Sequence, residues 1–454
     1  MQNVTLFIAV LGAALVCTLK PAKALCVYLS ILMLWPTYLV IQIATLDISA
    51  GRIVVLFLLL RCVLTPRIIQ QFRISKLDFM MMFFVIVNIV APILAGAEVV
   101  SHLIASSGTV MDTFFAYLAA RFCIHTKKDF IFLAKSIALI LLPLSLLGLG
   151  ETFLNYQLYM PLMKYRPWGL PGRGIIEPRF GLTRAIGPSG HAILFGATFA
   201  IFIPWIYSLR HESGFWRWGS YCLTFFAVAG VFSSLSSGPW VMLIMILICL
   251  WFERHSKLLK PVLWSMGIGA CLISILSNRR FYHVISDYAN PLGGSAYHRA
   301  RLIDCAIESF NEWCFFGYGL RDPGWGHSLG MAWTDITNHF IFIAVQSGLP
   351  GLLLFVGLLT GLLVKLIKMY RIQGRTDIRS VYWSFCTILV VLFITLNSCT
   401  FFSQIRTFLY IVLGVLVSAT CSQFPGVALK NPPNKPLSRS NELKEAKRNR
   451  AMIL

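Results

Sequence analysis

The sequence predicts an all-α fold, a polytopic transmembrane helix bundle of about twelve or thirteen spans. The first reason is composition: 57% of the 454 residues are hydrophobic, 13% are charged, and the mean hydropathy is +0.74. Soluble domains carry about a quarter charged residues, and disordered chains have the opposite composition. The second reason is a series of long, unbroken apolar segments, which excludes a membrane β-barrel because barrel strands alternate polar and apolar residues.

The apolar segments recur along most of the chain at lengths that suit helices crossing a bilayer. The first has no charged start and no small-residue cleavage site, so it is predicted to be a span and not a signal peptide. The third is short enough for partial insertion. The predicted spans are 3–19, 25–46, 52–64, 79–97, 104–122, 130–150, 189–209, 218–235, 239–252, 261–277, 339–370, 380–398 and 405–422.

Residues 1–422 are thus predicted to form one transmembrane domain, and 423–454 a basic tail. Lysine and arginine concentrate in alternate short loops and in the tail, and this side of the membrane is predicted to be cytoplasmic. The opposite side carries two long loops, 151–188 and 278–338, of which the second is partly helical. The net charge of +21 is assigned to topology and to site chemistry, because no soluble domain is predicted that could bind nucleic acid.

The two long loops carry positive charge against this bias. Nine of their ten basic residues are arginine, whose planar fork binds carboxylate or phosphate through two bonds. An anionic ligand on this face is one interpretation, and local pairing with carboxylates of the same loops is the other. The ten residues are Lys164, Arg166, Arg173, Arg179, Arg184, Arg279, Arg280, Arg299, Arg301 and Arg321.

Three predicted spans begin on the face that carries the long loops, each with a capping sequence. Proline favours the first turn of a helix, and Ser, Thr, Asn and Gly favour the preceding cap. Exposed N–H groups and a partial positive charge make such helix starts suitable for anions, although ordinary caps would look the same. The three segments are Arg184 to His191, Ser236 to Trp240, and Asp335 to His339.

A helix is predicted over about 298–313 in the second long loop. Arg299, Leu302 and Ala306 recur at helical spacing on its apolar stripe, so Arg299 faces the protein and is predicted to be functional. Arg301 has Asp304 as a helical neighbour and is predicted to be structural.

These residues together resemble the O-antigen ligase and O-antigen polymerase family of polytopic glycosyltransferases. The resemblance covers about 180–360, and the remainder agrees in hydropathy alone. Where the family has a middle arginine this chain has Ser237, and the family's histidine position falls on Thr337, two residues before His339. The matching segments are Arg184 with Gly187, Ser236 to Gly238, Arg299 with Gly317 to Gly319, and Asn338 through Gly348 to Gly351.

The resemblance implies a GT-C-like membrane bundle in the bacterial inner membrane. It implies transfer or polymerisation of glycan from a polyprenyl-diphosphate-linked donor to a glycan or glycolipid acceptor on the periplasmic face, in cell-surface polysaccharide synthesis. A ligase, a polymerase and an exopolysaccharide polymerase branch all remain open. The departing diphosphate needs fixed cations, and the acceptor hydroxyl needs a base.

The candidate site residues follow from these requirements. Arg184 and Arg299 are predicted to stabilise the diphosphate and His339 to be the base, with His191 in reserve. Glu177 and Asp335 are the carboxylate alternatives for the base. The predicted substrate-binding residues are His191, Arg279, Arg280, Arg321, Ser237, Asn338 and Thr337.

The sequence has no metal-ligand spacing on the face of the long loops and no nucleotide-binding fingerprint, so a metal-independent enzyme without a cofactor is predicted. The alternative function is a transporter or flippase for an anionic glycolipid, which would call for internal repeats and ionisable residues near the membrane midplane. The two halves of the chain show no such repeat. Asp112, inside a predicted span, is expected either to have a function or to pair with Arg121 or a buried hydroxyl.

Overall fold

The structure is a computed structural model that describes residues 1–43, 46–167, 178–278, 280–288 and 295–421. This part of the chain is almost entirely helical, which confirms the predicted all-α class. Two short strands, β1 (Val40–Ile43) and β2 (Leu46–Ser49), form an antiparallel hairpin in which Val40 pairs with Ser49. The predicted basic tail and Arg279 lie outside the described residues.

The first half of the bundle runs from α1 to α8. The α6 and α7 helices form one continuous span, joined by the π-helical turn Met111–Phe115. The helices are α1 (Gln2–Thr18), α2 (Pro21–Leu34), α3 (Ala50–Leu64), α4 (Pro66–Gln71), α5 (Lys76–Leu94), α6 (Val99–Val110), α7 (Ala116–Cys123) and α8 (Lys127–Phe153).

The second half contains the remaining spans and the helices of the second long loop. That loop is partly helical, as predicted, with a break in its amphipathic helix at Ser309. The helices are α9 (Ala192–Ser208), α10 (Phe215–Ser233), α11 (Ser237–Arg254), α12 (Leu259–Leu276), α13 (Phe281–Tyr288), α14 (Ser295–Glu308), α15 (Phe310–Trp313), α16 (His339–Ile372), α17 (Thr376–Leu396) and α18 (Ser403–Cys421).

Nine helical segments of the described chain are long and apolar enough to cross a membrane. The α1 and α2 helices are shorter apolar helices, and α3 and α10 coincide with the two other predicted spans. The α9 and α18 segments are 89% and 83% buried and form the centre of the bundle, whereas α12 is 0% buried and lies outside it. Because α9 is apolar on all sides, it suits a position surrounded by other helices.

The long α16 helix is broken at Gly348, whose φ of 71° and ψ of −171° are not helical. Here the chain that follows α15 packs against the backbone of α16, and the N–H of Leu349 donates to the carbonyl of Cys314 at 2.9 Å. Pro350, which has no N–H, favours the same break. The second long loop is thereby attached to the bundle beside the start of α16.

Candidate functional site

A cavity of about 340 Å³ opens where the β1–β2 hairpin, the start of α9 and the start of α18 meet. Its wall combines an imidazole, three guanidinium groups and one carboxylate, so it is polar and basic although it lies within an apolar bundle. These lining residues are His191, Arg52, Arg166, Arg406 and Asp112.

Arg184 connects two of the three predicted helix starts. Its Nη2 donates to Ser236 Oγ at 2.7 Å, and its Nε donates to the carbonyl of Ser234 at 3.4 Å. Ser236 is the cap residue before α11, and Ser237 is the first residue of that helix. The segment before α9 and the start of α11 are therefore held together by a half-buried guanidinium, as a shared site requires.

Glu151, near the end of α8, fixes the segment that carries Arg184. Its buried carboxylate accepts hydrogen bonds from the N–H groups of Ile186 (2.9 Å), Gly187 (3.0 Å) and Leu158 (3.0 Å). Sequence analysis missed this residue. The sequence signal that could have identified Glu151 is a single carboxylate just beyond the predicted span 130–150, next to a long loop.

His191 is the residue before α9 and lies in the cavity wall. Its ring packs edge-on against Phe402, with ring centroids 5.6 Å apart, and its buried Nδ1 has no hydrogen-bond partner among the described residues. Burial and the positive charge of Arg184 lower the pKa of His191 to about 4. The imidazole is therefore neutral near pH 7 and has a lone pair that can accept a proton.

His339, the predicted base, is the first residue of α16 and is only 2% exposed. Its ring packs against Phe342 and Phe355, and within the described chain neither ring nitrogen has a hydrogen-bond partner. It lines a second, smaller cavity of about 50 Å³, into which Arg406 also projects. Arg406 therefore lies between His339 and the larger cavity.

The other two residues of this helix start have different surroundings. Asn338 is the cap of α16, since its Oδ1 accepts from the N–H groups of Phe340 (2.9 Å) and Ile341 (3.1 Å). Its carboxamide oxygen is thus already used by the helix. Thr337 Oγ1 is buried and has no partner in the part of the chain that is described.

Arg299 lies on α14, half-buried, with its Nε unpartnered among the residues described. Burial lowers the pKa of Arg299, and the nearby Cys399 thiol acts in the opposite direction. Cys399 belongs to the connection between α17 and α18, residues 397–402. The same connection contacts His339 through Phe401 and His191 through Phe402, so it links the surroundings of these two histidines.

Arg280 and Arg321 lie away from the cavity. Arg280 Nη1 donates to Asp304 Oδ1 at 2.9 Å, and Arg321 donates to the carbonyl of Ala95 in the α5–α6 connection. Arg301 also pairs locally, with Asp304 at 3.8 Å. Local pairing with a carboxylate of the same loop therefore holds for Arg280 and Arg301 but not for Arg321, and the structural role predicted for Arg301 agrees with its contacts.

Two arginines of the cavity wall, Arg52 and Arg406, were not predicted as site residues. Both contact Asp112, with Arg52 Nη2 at 2.7 Å and Arg406 Nη2 at 3.5 Å from Asp112 Oδ2. The expected Arg121–Asp112 pair does not form, because Arg121 binds Asp78 at 2.7 Å. Arg52 and Arg406 each lie within one turn of the start of a predicted span. A charged residue is unusual at such a position, and this could have identified both as candidate site residues.

Comparison with known protein families gives a match to part of the chain. The O-antigen ligase family matches residues 222–356, from α10 to the first part of α16. Over this segment the chain resembles the O-antigen ligases. The resemblance recognised in the sequence is thereby confirmed over this region. No curated protein shows significant similarity to the chain.

The segment that matches the O-antigen ligase family supplies only part of the candidate site. It contains the start of α11, Arg299 and His339, whereas Arg52, Asp112, His191 and Arg406 come from outside it. No group of three or more His, Cys, Asp or Glu residues is arranged to hold a metal ion within the described ranges. The ionisable side chains described in the wall of this cavity are three guanidinium groups, one imidazole and the Asp112 carboxylate.

Proposed function

We propose that the protein is a membrane glycosyltransferase of the O-antigen ligase or polymerase type. It moves glycan from a polyprenyl-diphosphate donor to a hydroxyl of a glycan or glycolipid acceptor. The observation that carries this proposal is the neutral imidazole of His191 in one cavity with guanidinium groups, next to the segment that matches the O-antigen ligase family. A base and fixed cations are the two things that this transfer requires.

The transfer forms one bond and breaks one bond. The acceptor oxygen attacks the anomeric carbon, the bond from that carbon to the diphosphate oxygen breaks, and its electron pair stays on the diphosphate. The acceptor proton passes to the base. Cations placed near the leaving oxygens lower the barrier, and loss of one such donor costs roughly 3–4 kcal/mol.

We assign the base to His191, the residue held in reserve by the sequence analysis. His191 lines the cavity of about 340 Å³, whereas His339 is 2% exposed beside a cavity of about 50 Å³, too small for a sugar. His339 remains the second candidate. Burial, together with the positive charge of Arg184, keeps His191 neutral. Arg299 is assigned to the diphosphate because its half-buried guanidinium has an unpartnered Nε in the described chain.

We further propose that the loop-bearing face is periplasmic, in a bacterial inner membrane, with the C-terminus in the cytoplasm. The distribution of lysine and arginine along the chain supports this orientation. We propose that the reaction needs no metal, because cationic side chains can stabilise the charge on the departing diphosphate. The transporter alternative gains no specific support from the geometry.

The test is transfer by the purified full-length protein from a polyprenyl-diphosphate oligosaccharide, with EDTA present throughout. Wild type is expected to form the glycan product and release polyprenyl diphosphate. His191→Ala and Arg299→Ala are each expected to lose at least roughly a hundredfold in rate. Arg280→Ala is the matched control, because its partner is Asp304.

Two results would contradict parts of this proposal. Transfer that stops with EDTA would exclude the metal-independent mechanism. An inactive, folded His339→Ala protein alongside an active His191→Ala protein would move the base to His339. Absence of transfer by wild type with every lipid-linked donor tested would overturn the proposed function itself.

A further inference from the structure

We infer that a groove on the second long loop binds the head group of a phospholipid that carries both a phosphate and an amine, in the leaflet on the side of the long loops. The groove has a volume of about 330 Å³ and is lined by Glu312, by residues of the turn 314–321 and by Ala95, just beyond α5. In it Arg321 binds the phosphate and Glu312 binds the amine. The lipid thereby fastens the loop to the membrane surface, whatever reaction the protein catalyses.

Backbone contacts fix the turn 314–321 against two membrane spans. On one side the carbonyl of Cys314 accepts from the N–H of Leu349 at 2.9 Å, at the break in α16. On the other side the turn packs so closely on the last turn of α5 that a Cβ at Gly319 would lie 3.1 Å from Pro92 Cα. The turn is therefore held at a defined height on the side of the bundle.

The lengths of the two spans give that height. At their other end α5 and α16 are level, because Lys365 Nζ donates to Ser75 Oγ at 2.9 Å. From this contact to Pro92 in α5, and to Gly348 in α16, each helix rises about 25 Å. The hydrocarbon core of a bilayer is about 30 Å thick. The turn thus lies where the hydrocarbon ends and the head groups of the loop-side leaflet begin.

The turn exposes apolar side chains at this height. Phe315 is 73% exposed, and Phe316 and Leu320 are exposed as well. Just below them the spans expose Leu94 at the end of α5 and Leu353 in α16. Contiguous exposed apolar surface marks membrane or binding sites, and aromatic rings concentrate at the membrane interface. The surface of the turn is therefore continuous with the surface that the spans present to lipid.

The groove also carries one charge of each sign. Arg321 donates to the carbonyl of Ala95, and Glu312 accepts from the hydroxyl of Tyr318 at 2.6 Å, so both bonds are to neutral groups. Among the described residues neither charge has an ion-pair partner. The guanidinium fork suits a phosphate, and a carboxylate suits an ammonium group. A head group with both charges complements this groove, whereas a purely anionic one would meet the Glu312 carboxylate.

The experiment measures lipid contact directly. The full-length protein would be placed in lipid nanodiscs that contain photoreactive phosphatidylethanolamine or photoreactive phosphatidylglycerol, and the labelled peptides would be identified by mass spectrometry. In wild type the phosphatidylethanolamine probe is expected to label the turn 314–321 roughly threefold to fivefold more than the phosphatidylglycerol probe does. This range corresponds to one exposed ion pair between the amine and Glu312.

Two variants separate the two charges. Glu312→Gln should abolish the preference, so that both probes label the turn equally. Arg321→Gln should lower labelling by both probes, again roughly threefold to fivefold, and Arg321→Lys, which keeps the charge but loses the fork, should fall between it and wild type. The matched control is Glu308→Gln, an exposed carboxylate on α14 outside the groove, which should keep the wild-type preference.

Equal labelling of wild-type protein by the two probes would overturn the inference, as would labelling that neither variant changes. Loss of labelling when a soluble oligosaccharide is added would also overturn it, because the occupant would then be a glycan. Should Arg321→Gln fail to fold, Glu312→Gln alone decides, since its amide keeps an acceptor for Tyr318. None of these measurements requires transfer activity, so their outcome is independent of the proposed function.

Discussion

The N–H of Tyr318 donates a hydrogen bond to the carbonyl of Val345 at 2.6 Å. In an unbroken helix that carbonyl would accept from Leu349, four residues later. Leu349 instead donates to Cys314 at 2.9 Å, so the loop and the broken helix exchange partners. The backbone groups freed by the break are thus satisfied by the second long loop, which fixes the loop beside the start of α16.

The first prediction concerns the two glycines that permit this exchange. Gly317 and Gly348 both have φ of 71°, and a Cβ at either would collide with backbone atoms of the other segment. Gly317→Ala or Gly348→Ala is expected to destabilise the protein by roughly 1–3 kcal/mol and to lower the transfer rate. Thermal unfolding in detergent measures the first effect and product formation the second.

The control for this pair is Gly267→Ala on α12, where a Cβ would meet no atom within 4 Å. It should leave both stability and activity near wild type. Equal behaviour of Gly348→Ala and Gly267→Ala would show that the exchange of hydrogen bonds does not constrain the loop.

A second prediction concerns Glu151, whose carboxylate holds the N–H groups of Ile186 and Gly187. Glu151→Ala leaves these donors buried without an acceptor, which costs about 1–3 kcal/mol for such a group. Because the segment that carries Arg184 should lose its fixed position, we expect the transfer rate to fall by more than the loss of stability alone would cause. Glu151→Gln keeps one acceptor oxygen, so its transfer rate and melting temperature should lie between those of wild type and Glu151→Ala.

Measured melting temperatures and transfer rates of the Glu151 variants would be compared with those of Glu308→Gln, an exposed carboxylate of α14. If Glu151→Ala matched this control in both measurements, the carboxylate would have no part in holding the segment.

Much of the fold could be predicted because apolar length and helix caps are local properties of the sequence. The cap at Asn338, the apolar stripe through Leu302 and Ala306, and the local pairing of Arg301 all depend on residues within a few turns of one another. The sequence order of the family motifs was enough to recognise the similarity to the O-antigen ligase family, which the family match confirms over 222–356.

The cavity wall could not be predicted in this way. Arg52, Asp112 and Arg406 meet only because α3, the π-helical turn and α18 are neighbours, and hydropathy does not reveal which helices pack together. Likewise, the position of His339 at a helix start was predictable, but the burial of its ring against Phe355 depends on tertiary packing.

The third prediction is the pH dependence of transfer. Because burial and Arg184 lower the pKa of His191 to about 4, the base is already unprotonated throughout the neutral range. The rate kcat/KM should therefore stay constant as pH falls from 8 to about 5.5 and decrease only as pH approaches 4. Arg184→Gln removes a neighbouring positive charge, so the pKa of His191 and the acid limb should move to higher pH.

The measurement is the pH profile of kcat/KM for wild type and for Arg184→Gln, with saturating acceptor. An acid limb near the ordinary histidine value in wild type would exclude His191 in its described environment as the base. An unchanged limb in Arg184→Gln would exclude the electrostatic influence of Arg184.

The last prediction separates the two histidines through the connection between α17 and α18. Phe402 is 46% exposed and packs on the ring of His191, whereas Phe401 is 1% exposed and packs on that of His339. Phe402→Ala should change stability by less than about 1 kcal/mol yet reduce kcat up to roughly tenfold, since the edge-on contact orients the ring. Phe401→Ala should instead cost about 3–5 kcal/mol of stability, because it removes a fully buried ring.

Melting temperature and kcat measured on both variants test this contrast, with Phe315→Ala on the exposed loop surface as the control. A Phe402→Ala protein with wild-type kcat would mean that the orientation of His191 does not limit transfer. If Phe401→Ala instead keeps its stability but loses kcat, the histidine that depends on this connection is His339 and not His191. The base would then have to be reassigned to His339.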